Sequence, residues 1–419
     1  NLPDHRIAPY PDPEEAIGEM KIHSGMEVNL FASEKEFPEL ANPVQMAWDT
    51  KNRLWVAAWP TYPAATPTDK VLDKLLVFED TDWDGKADKM TTFADGLNSP
   101  TGFQFYKDGV LVMQSPDLIW LRDTDGDGRA DWSQRMLNGI DSADTHHTTN
   151  AMAYDPGGGI YLSDGVFHRT QVETADGPKR NVDGSIYRYN PRTGEFDWFM
   201  AHGFANPHGK AFDRWGNSFI TDATGNVNYY GDAASGHTTD GRKHARLKEF
   251  WKRPSRPCPA TEILSSAHFP EEFQGNFLNA NVISFQGIFR VGVTYEGSGP
   301  KGETLEHLVS TDPKDNQHFR PICMSNGPDG ALYFCDWTQT IIGHLQHHIR
   351  DPHRDHQHGR IYRITYEGRD LATPPKISGE PINNLLDHLA SPVNGTRLLA
   401  KIELDTRPRR TSSQPQRNV

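Results

Sequence analysis

Six copies of one strand-rich unit predict an all-β chain folded as a six-bladed β-propeller, with a short helical C-terminal extension. Three observations carry this reading. A turn containing Gly or Asn, followed by a short β-rich run, recurs with reference residues Trp55, Leu111, Tyr161, Phe219, Phe277 and Tyr333, spaced 50 to 58 residues apart. A second run lies upstream in the unit, as in Asn42-Pro-Val-Gln-Met-Ala-Trp, Ser99-Pro-Thr-Gly-Phe-Gln-Phe and Asn206-Pro-His-Gly-Lys-Ala-Phe, so each unit opens with a hairpin. The 36 Gly and 30 Pro among 419 residues favour tight turns over long helices. Four short strands repeated radially make a propeller, because closing the ring hides the sheet edges.

The units occupy 20–368, after an N-terminal extension over 1–19. Further runs, such as Leu75–Glu79 and Gly184–Tyr189, supply third strands. Unit four contains a long excursion over 232–262, rich in basic residues (Arg242, Lys243, Arg246, Lys248, Lys252, Arg253 and Arg256), expected to be a solvated loop packed over the propeller. The segment 369–404 is helical: Ile382, Leu385, Leu386 and Leu389 fall on one stripe, and Pro392–Leu404 forms a second helix. Residues 405–419 are polar and basic without periodicity, and are expected to be disordered.

Composition excludes several classes. Hydrophobic residues at 36% and charged residues at 24% describe a globular chain. A net charge of −13 argues against a nucleic-acid partner, which needs a basic face. No run reaches 18 apolar residues, so no transmembrane segment is expected. The cysteines are Cys258, Cys323 and Cys335. Without a Cys-x-x-Cys they build neither a thiolate zinc site nor a c-type haem attachment. Cys323 and Cys335 lie on neighbouring runs, where they either pair or stay as buried thiols. The start at Asn1 rather than Met is read as processing. The expected location is periplasmic or extracellular, with membrane association only through partners.

The loop order sorts the motifs onto two faces. Asp80, Asp82, Asp84 and Asp88 form one spaced-aspartate loop, and Asp123, Asp125, Asp127 and Asp131 form another. Oxygens at positions 1, 3 and 5 followed by a sharp glycine turn are what calcium loops use, although the last acid here stands at position 9. Both fall between third and fourth strands, on the far face, where a structural role is expected. The other face collects His146 and His147, Asn206 and His208, His318 and Arg320, Trp59 and Tyr62, Asp164, His168 and Arg169, and Asp222 and Asn226. Its densest loop carries six histidines (His344, His347, His348, His353, His356 and His358) with Arg350, Arg354 and Arg360. Imidazole takes a proton near neutral pH or binds a transition metal, and guanidinium forks suit carboxylates. That loop alternatively forms a hydrogen-bonded plug of the channel. No nucleophile elbow, Walker loop or dinucleotide fingerprint is visible; Gly157-Gly-Gly159 is a hairpin turn.

At Met26-Glu-Val-Asn-Leu-Phe-Ala-Ser-Glu34, the Asp80 loop, Gly327-Pro-Asp-Gly-Ala-Leu-Tyr-Phe-Cys-Asp-Trp337 and Ile342-Gly-His344 through Arg363, the chain resembles the N-terminal propeller of membrane-bound dehydrogenases of planctomycetes and verrucomicrobia. That group is similar to soluble sugar dehydrogenases using pyrroloquinoline quinone and calcium. The resemblance implies His147 as the base taking the substrate hydroxyl proton, Asp164 as the acid orienting it, and Arg320 as a quinone contact. Asn206 matches part of the quinone motif, but Ala205 stands for its arginine and His208 for its glutamine. Arg320 and Arg350 would hold the cofactor's carboxylates. Full-length relatives continue into helical repeats and a haem domain, absent here, so the resemblance implies a separate acceptor such as a cytochrome c. Two other readings stay open on the residues alone. His147, His208 and His344 can hold a divalent transition metal in a lyase or hydrolase acting on an acidic polysaccharide. The propeller can also be a non-catalytic binding module in a larger redox assembly.

Overall fold

The computed structural model describes residues 8–66, 68–225, 227–231, 243, 247–343 and 347–407. Six antiparallel sheets form the propeller. Their innermost strands are Pro43–Trp48, Gly102–Tyr106, Asn150–Tyr154, Pro207–Phe212, Ala260–Ile263 and Pro321–Asn326. Each touches the next, and the sixth touches the first, so the ring is closed. The second strands are Leu54–Ala58, Gly109–Gln114, Ile160–Asp164, Ser218–Asp222, Phe277–Val282 and Leu332–Asp336. All six reference residues of the repeat fall on them. Side chains clasp neighbouring blades near the axis. Gln45 Nε2 donates to Phe103 O and its Oε1 accepts from Phe103 N, both at 3.1 Å, and Gln104 Nε2 donates to Met152 O at 2.8 Å.

The ring is locked by its own beginning. Strand β1 (Met20–Ile22) pairs with Val309–Thr311 in blade 5, and β2 (Met26–Ser33) forms the outer strand of blade 6 against Arg360–Tyr366. Leu30, Phe31 and Ala32 of β2 are buried. Full burial of a Leu or Phe contributes roughly 1.5–3 kcal/mol each, so the seam is a hydrophobic closure as well as a hydrogen-bonded one.

The floor of the ring is covered by α1 (Ile382–His388) and α2 (Asn394–Asp405). Ile377, Leu385, Leu399, Ala400 and Ile402 enter one core with Trp55, Phe103 and Phe105. The expected stripe on α1 is only half used: Leu385 is buried and Leu389 packs against the core, while Ile382 and Leu386 stay exposed, because α1 meets the ring along one edge. Among the described residues no helix is long and apolar enough to cross a membrane.

The excursion in blade 4 is not all solvated loop: Lys248–Trp251 is the outermost strand, since Phe250 and Trp251 need a core, and Arg253 is buried. Arg242 and Arg246 lie outside the described residues. All three cysteines are buried free thiols, with Cys323 and Cys335 opposite each other across paired strands. Of the tail expected to be disordered, Asp405 ends α2 and bonds Arg192, while 408–419 lie outside the described residues.

Candidate functional site: the upper mouth of the propeller

One backbone bond recurs in four blades and builds the mouth. The residue after each second strand donates its N–H to a carbonyl in the loop leading into the innermost strand. The pairs are Trp59 to Asn42 (3.0 Å), Gly165 to His147 (2.9 Å), Ala223 to Asn206 (2.8 Å) and Trp337 to Arg320 (2.9 Å). Asn42, His147, Asn206 and Arg320 therefore occupy equivalent positions around the axis. Gly165 is required for the approach in blade 3, since a Cβ there would fall 2.5 Å from His147 O. Asn42, which sequence reasoning did not select, was signalled only by its place before Pro43.

His147 closes a 3-10 turn, Thr145–His147. Its Nδ1 lies 3.0 Å from Asp144 Oδ2. Asp164 does not orient His147, as the resemblance implied. Its carboxylate is fully buried and serves His168, whose Nδ1 donates to Oδ1 at 2.6 Å, while Thr170 Oγ1 donates to Oδ2 at 2.6 Å. The other ring nitrogen of His168 donates to Asp144 O at 3.1 Å. Burial opposes charge on His168, but Asp164 and the Asp144 carbonyl outweigh it and raise its pKa. The order is therefore Asp164, His168, Asp144, His147. Sequence reasoning missed Asp144; its signal was the i, i+3 spacing to His147.

On blade 4 the second-strand aspartate acts on backbone. Asp222 accepts from the N–H groups of Ala205 (2.8 Å), Asn206 (2.9 Å) and Gly225 (2.8 Å). Asn206 Nδ2 donates to Thr224 Oγ1 at 3.5 Å, and its buried Oδ1 has no partner among the described residues. His208 Nδ1 donates to Pro259 O at 2.6 Å. Burial, aided by His147, lowers its pKa, so a neutral ring presents its Nε2 lone pair. His208 lines a cavity of about 300 Å³ in the channel, bounded by all six innermost strands above and α2 below.

On blade 6, Arg320 is 8% exposed. Its backbone N–H goes to Asp336 at 2.8 Å, its Nη1 donates to Phe319 O at 3.2 Å, and its buried Nε has no partner among the described residues. Burial pushes its pKa down to about 10, against the pull of Asp336 and Tyr10. Beside it, Tyr10 is stacked between His318 and His358, with ring centroids 3.9 and 4.0 Å away. Burial pushes His318 down to about 4. Arg350, expected at the cofactor, has an exposed side chain. The arginines of that run that turn inward are Arg354, donating through Nη2 to Gly343 O at 2.7 Å, and Arg360, paired with Glu34 at 3.2 Å. Trp59, Tyr62 and Trp337 form an apolar cluster with Val282 and Ile322 at the top of the channel. His344 and Asn226 lie outside the described residues, so His147 and His208 are the described members of the expected histidine metal set.

The far face holds the aspartate loops. Asp80, Asp82 and Asp88 bring ligand atoms within 4.8 Å of one another, as do Asp123, Asp125 and Asp127. Asp84 and Asp131 stand outside these groups; Asp131 accepts from Thr124 N and Oγ1 instead. The two clusters can coordinate a divalent ion. Each loop also bridges a blade seam: Ala87 N donates to Phe31 O at 2.8 Å, and Ala130 N to Phe93 O at 2.7 Å.

Fold and mouth define a six-bladed propeller with polar side chains converging on one end of its channel. The chain belongs to the family described as a domain of unknown function, DUF7133, whose model matches residues 12–257 and 242–368. No curated protein matches the sequence. Solved structures share the fold at low identity. A luciferin-regenerating enzyme is 13% identical, over 84% of this chain and 98% of its own, with a TM-score of 0.53. The PQQ domain of a pyranose dehydrogenase from Coprinopsis cinerea is 12% identical over 83% and 97%, TM-score 0.52. A carbohydrate-active enzyme of family AA12 from Trichoderma reesei, in a calcium structure, is 11% identical over 83% and 97%, TM-score 0.53.

Proposed function

We propose that this propeller, residues 20–368, is an exported dehydrogenase that oxidises a sugar or other alcohol at its upper mouth with a pyrroloquinoline-quinone-type cofactor. The observation that carries this reading is Arg320, a buried guanidinium whose Nε has no partner among the described residues, beside a mouth that also holds His147 and Asn206, whose Oδ1 likewise has no partner among them. Such a set fits a planar anionic group with polar edges. Arg320 and Asn206 would hold it, and Arg354 would shape the loop above. When bound, that group supplies a two-electron acceptor for hydride. His147 takes the substrate hydroxyl proton, and Asp144 steadies the imidazolium that results. A separate carrier such as a cytochrome c would take up the electrons.

His147→Ala is expected to lower turnover at least about 100-fold, measured as sugar-dependent dye reduction, with an unchanged melting temperature. Unchanged turnover would sink the assignment. Native mass spectrometry of the isolated protein should show an added organic mass near that of a quinone. Calcium is the proposed occupant of the two aspartate loops. At a hundredfold excess over Kd it should add about 2.7 kcal/mol of stability per site, lost on chelation and absent in Asp82→Ala for the first loop.

One observation favours a second reading. His208 donates Nδ1–H to a carbonyl and leaves Nε2 open, the posture of a metal-ligating histidine. Turnover that survives complete transition-metal chelation would exclude it.

A further inference from the structure

Opposite the mouth, cationic side chains outnumber their partners. Lys210, Arg214, Arg397 and Lys401 line the channel cavity where α2 crosses its floor. Asp155 lies among them but is already engaged: Oδ2 accepts from Arg188 Nε and Oδ1 from the Gly159 N–H, both at 3.0 Å. It is still the carboxylate that acts on Lys210 and Lys401. Asp213, beside Arg214, turns to neutral donors, namely the N–H groups of Trp215 and Asn217, Asn217 Nδ2 and Tyr295 OH. Glu262, also on the cavity wall, accepts from the Ile263 N–H.

Apart from the pull of Asp155 on Lys401, the three cations at the floor make their hydrogen bonds and ring contacts, among the described residues, with neutral groups. Arg397 donates to Ser391 O and Asn394 Oδ1. Lys401 Nζ donates to Pro156 O at 2.6 Å. Arg214 lies over the ring of Trp215, 5.1 Å from its centroid. Burial and Arg214 together hold Arg397 below its ordinary pKa, and burial and Arg397 do the same to Lys401. The first turn of α2 adds to the imbalance: it carries no acidic residue, Val393 offers no capping side chain, and Asn394, Gly395 and Thr396 line the same cavity. This happens in a chain whose acids outnumber its bases 56 to 43.

We propose that the channel floor is an anion site, taking a small oxyanion or carboxylate between α2 and the Asp213–Gly216 turn of blade 4, held by Arg214, Arg397 and Lys401. Charge-assisted hydrogen bonds from three cations supply the affinity, and the bound anion ties α2 to the ring. The site lies at the other end of the channel from His147 and Arg320, and does not depend on the dehydrogenase reading.

The test is calorimetric titration of the whole chain at low salt with inorganic phosphate, sulfate and malonate. One saturable site is expected for at least one of them, and the preferred anion identifies the chemistry. Arg214→Gln should weaken binding about fivefold, because Arg214 is exposed and makes no hydrogen bond within the described residues. Arg397→Gln combined with Lys401→Gln should remove binding. Should that double variant fail to fold, Arg214→Gln still decides. No saturable binding by the wild type, equal affinity in Arg214→Gln, or the same response to chloride at matched ionic strength would each overturn the proposal.

Discussion

Blades 3 and 4 end their second strands on the same residue type and use it differently. Asp222 spends its carboxylate on three backbone N–H groups, and Asp336 of blade 6 likewise takes the N–H groups of Arg320 and Thr338. In those blades the aspartate fastens the loop leading into the innermost strand. Asp164 instead takes side chains, those of His168 and Thr170, with Tyr187 OH at 3.3 Å. The loop of blade 3 is then held indirectly, through His168 on the Asp144 carbonyl. The same scaffold position bonds backbone in two blades and an imidazole side chain in the third, next to the proposed base.

The comparison can be broken by removing each carboxylate. Asp164→Ala should have the largest effect, about 3–5 kcal/mol of stability at pH 6, because it strands a buried imidazolium. Asp222→Ala should cost about 2–3 kcal/mol, since it leaves three backbone donors without an acceptor, while the nearby buried Arg253 keeps its bonds to the Asp222 and Ala223 carbonyls. Guanidinium unfolding of both variants measures the two; equal costs would mean that His168 is not charged in the fold. The smallest effect is a slope. Folding raises the pKa of His168, with burial opposing and Asp164 prevailing. Its contribution is therefore complete below the unfolded histidine value of about 6.5, and fades as pH rises through the folded value. Stability of Asp164→Asn should lack that decline above the unfolded value of about 6.5, compared with wild type in parallel melts.

The period was legible because each blade repeats one hairpin, and the turn before each second strand announces it: Gly109, Gly159, Gly216, Gly275 and Gly330 precede Leu111, Tyr161, Phe219, Phe277 and Tyr333. Once the strands are counted, loop order assigns His147, Asn206 and Arg320 to one mouth. Pairing was less legible. Two aspartates, Asp144 and Asp164, and two histidines, His147 and His168, permit two matchings, and only the bend of the chain after Asp164 selects one. Arg350 and Arg354 stand four residues apart in an irregular loop, where no periodicity says which turns inward. The exposure of Ile382 and Leu386 was hidden for a related reason: a hydrophobic stripe tells that a helix packs, not how much of it is covered.

The closing strand sets an order of events during synthesis. Val28 of β2 pairs with Ile364, so an element made early by the ribosome waits for more than 300 residues before its partner exists. Contacts of such sequence separation form slowly, and until then blade 6 has an open edge and blade 1 an uncovered flank. A chain released with its last third strand deleted should keep that edge and be prone to pairing with another copy. The ring is thus completed only after nearly the whole propeller has been translated, and β2, made before blade 1, serves as its clasp.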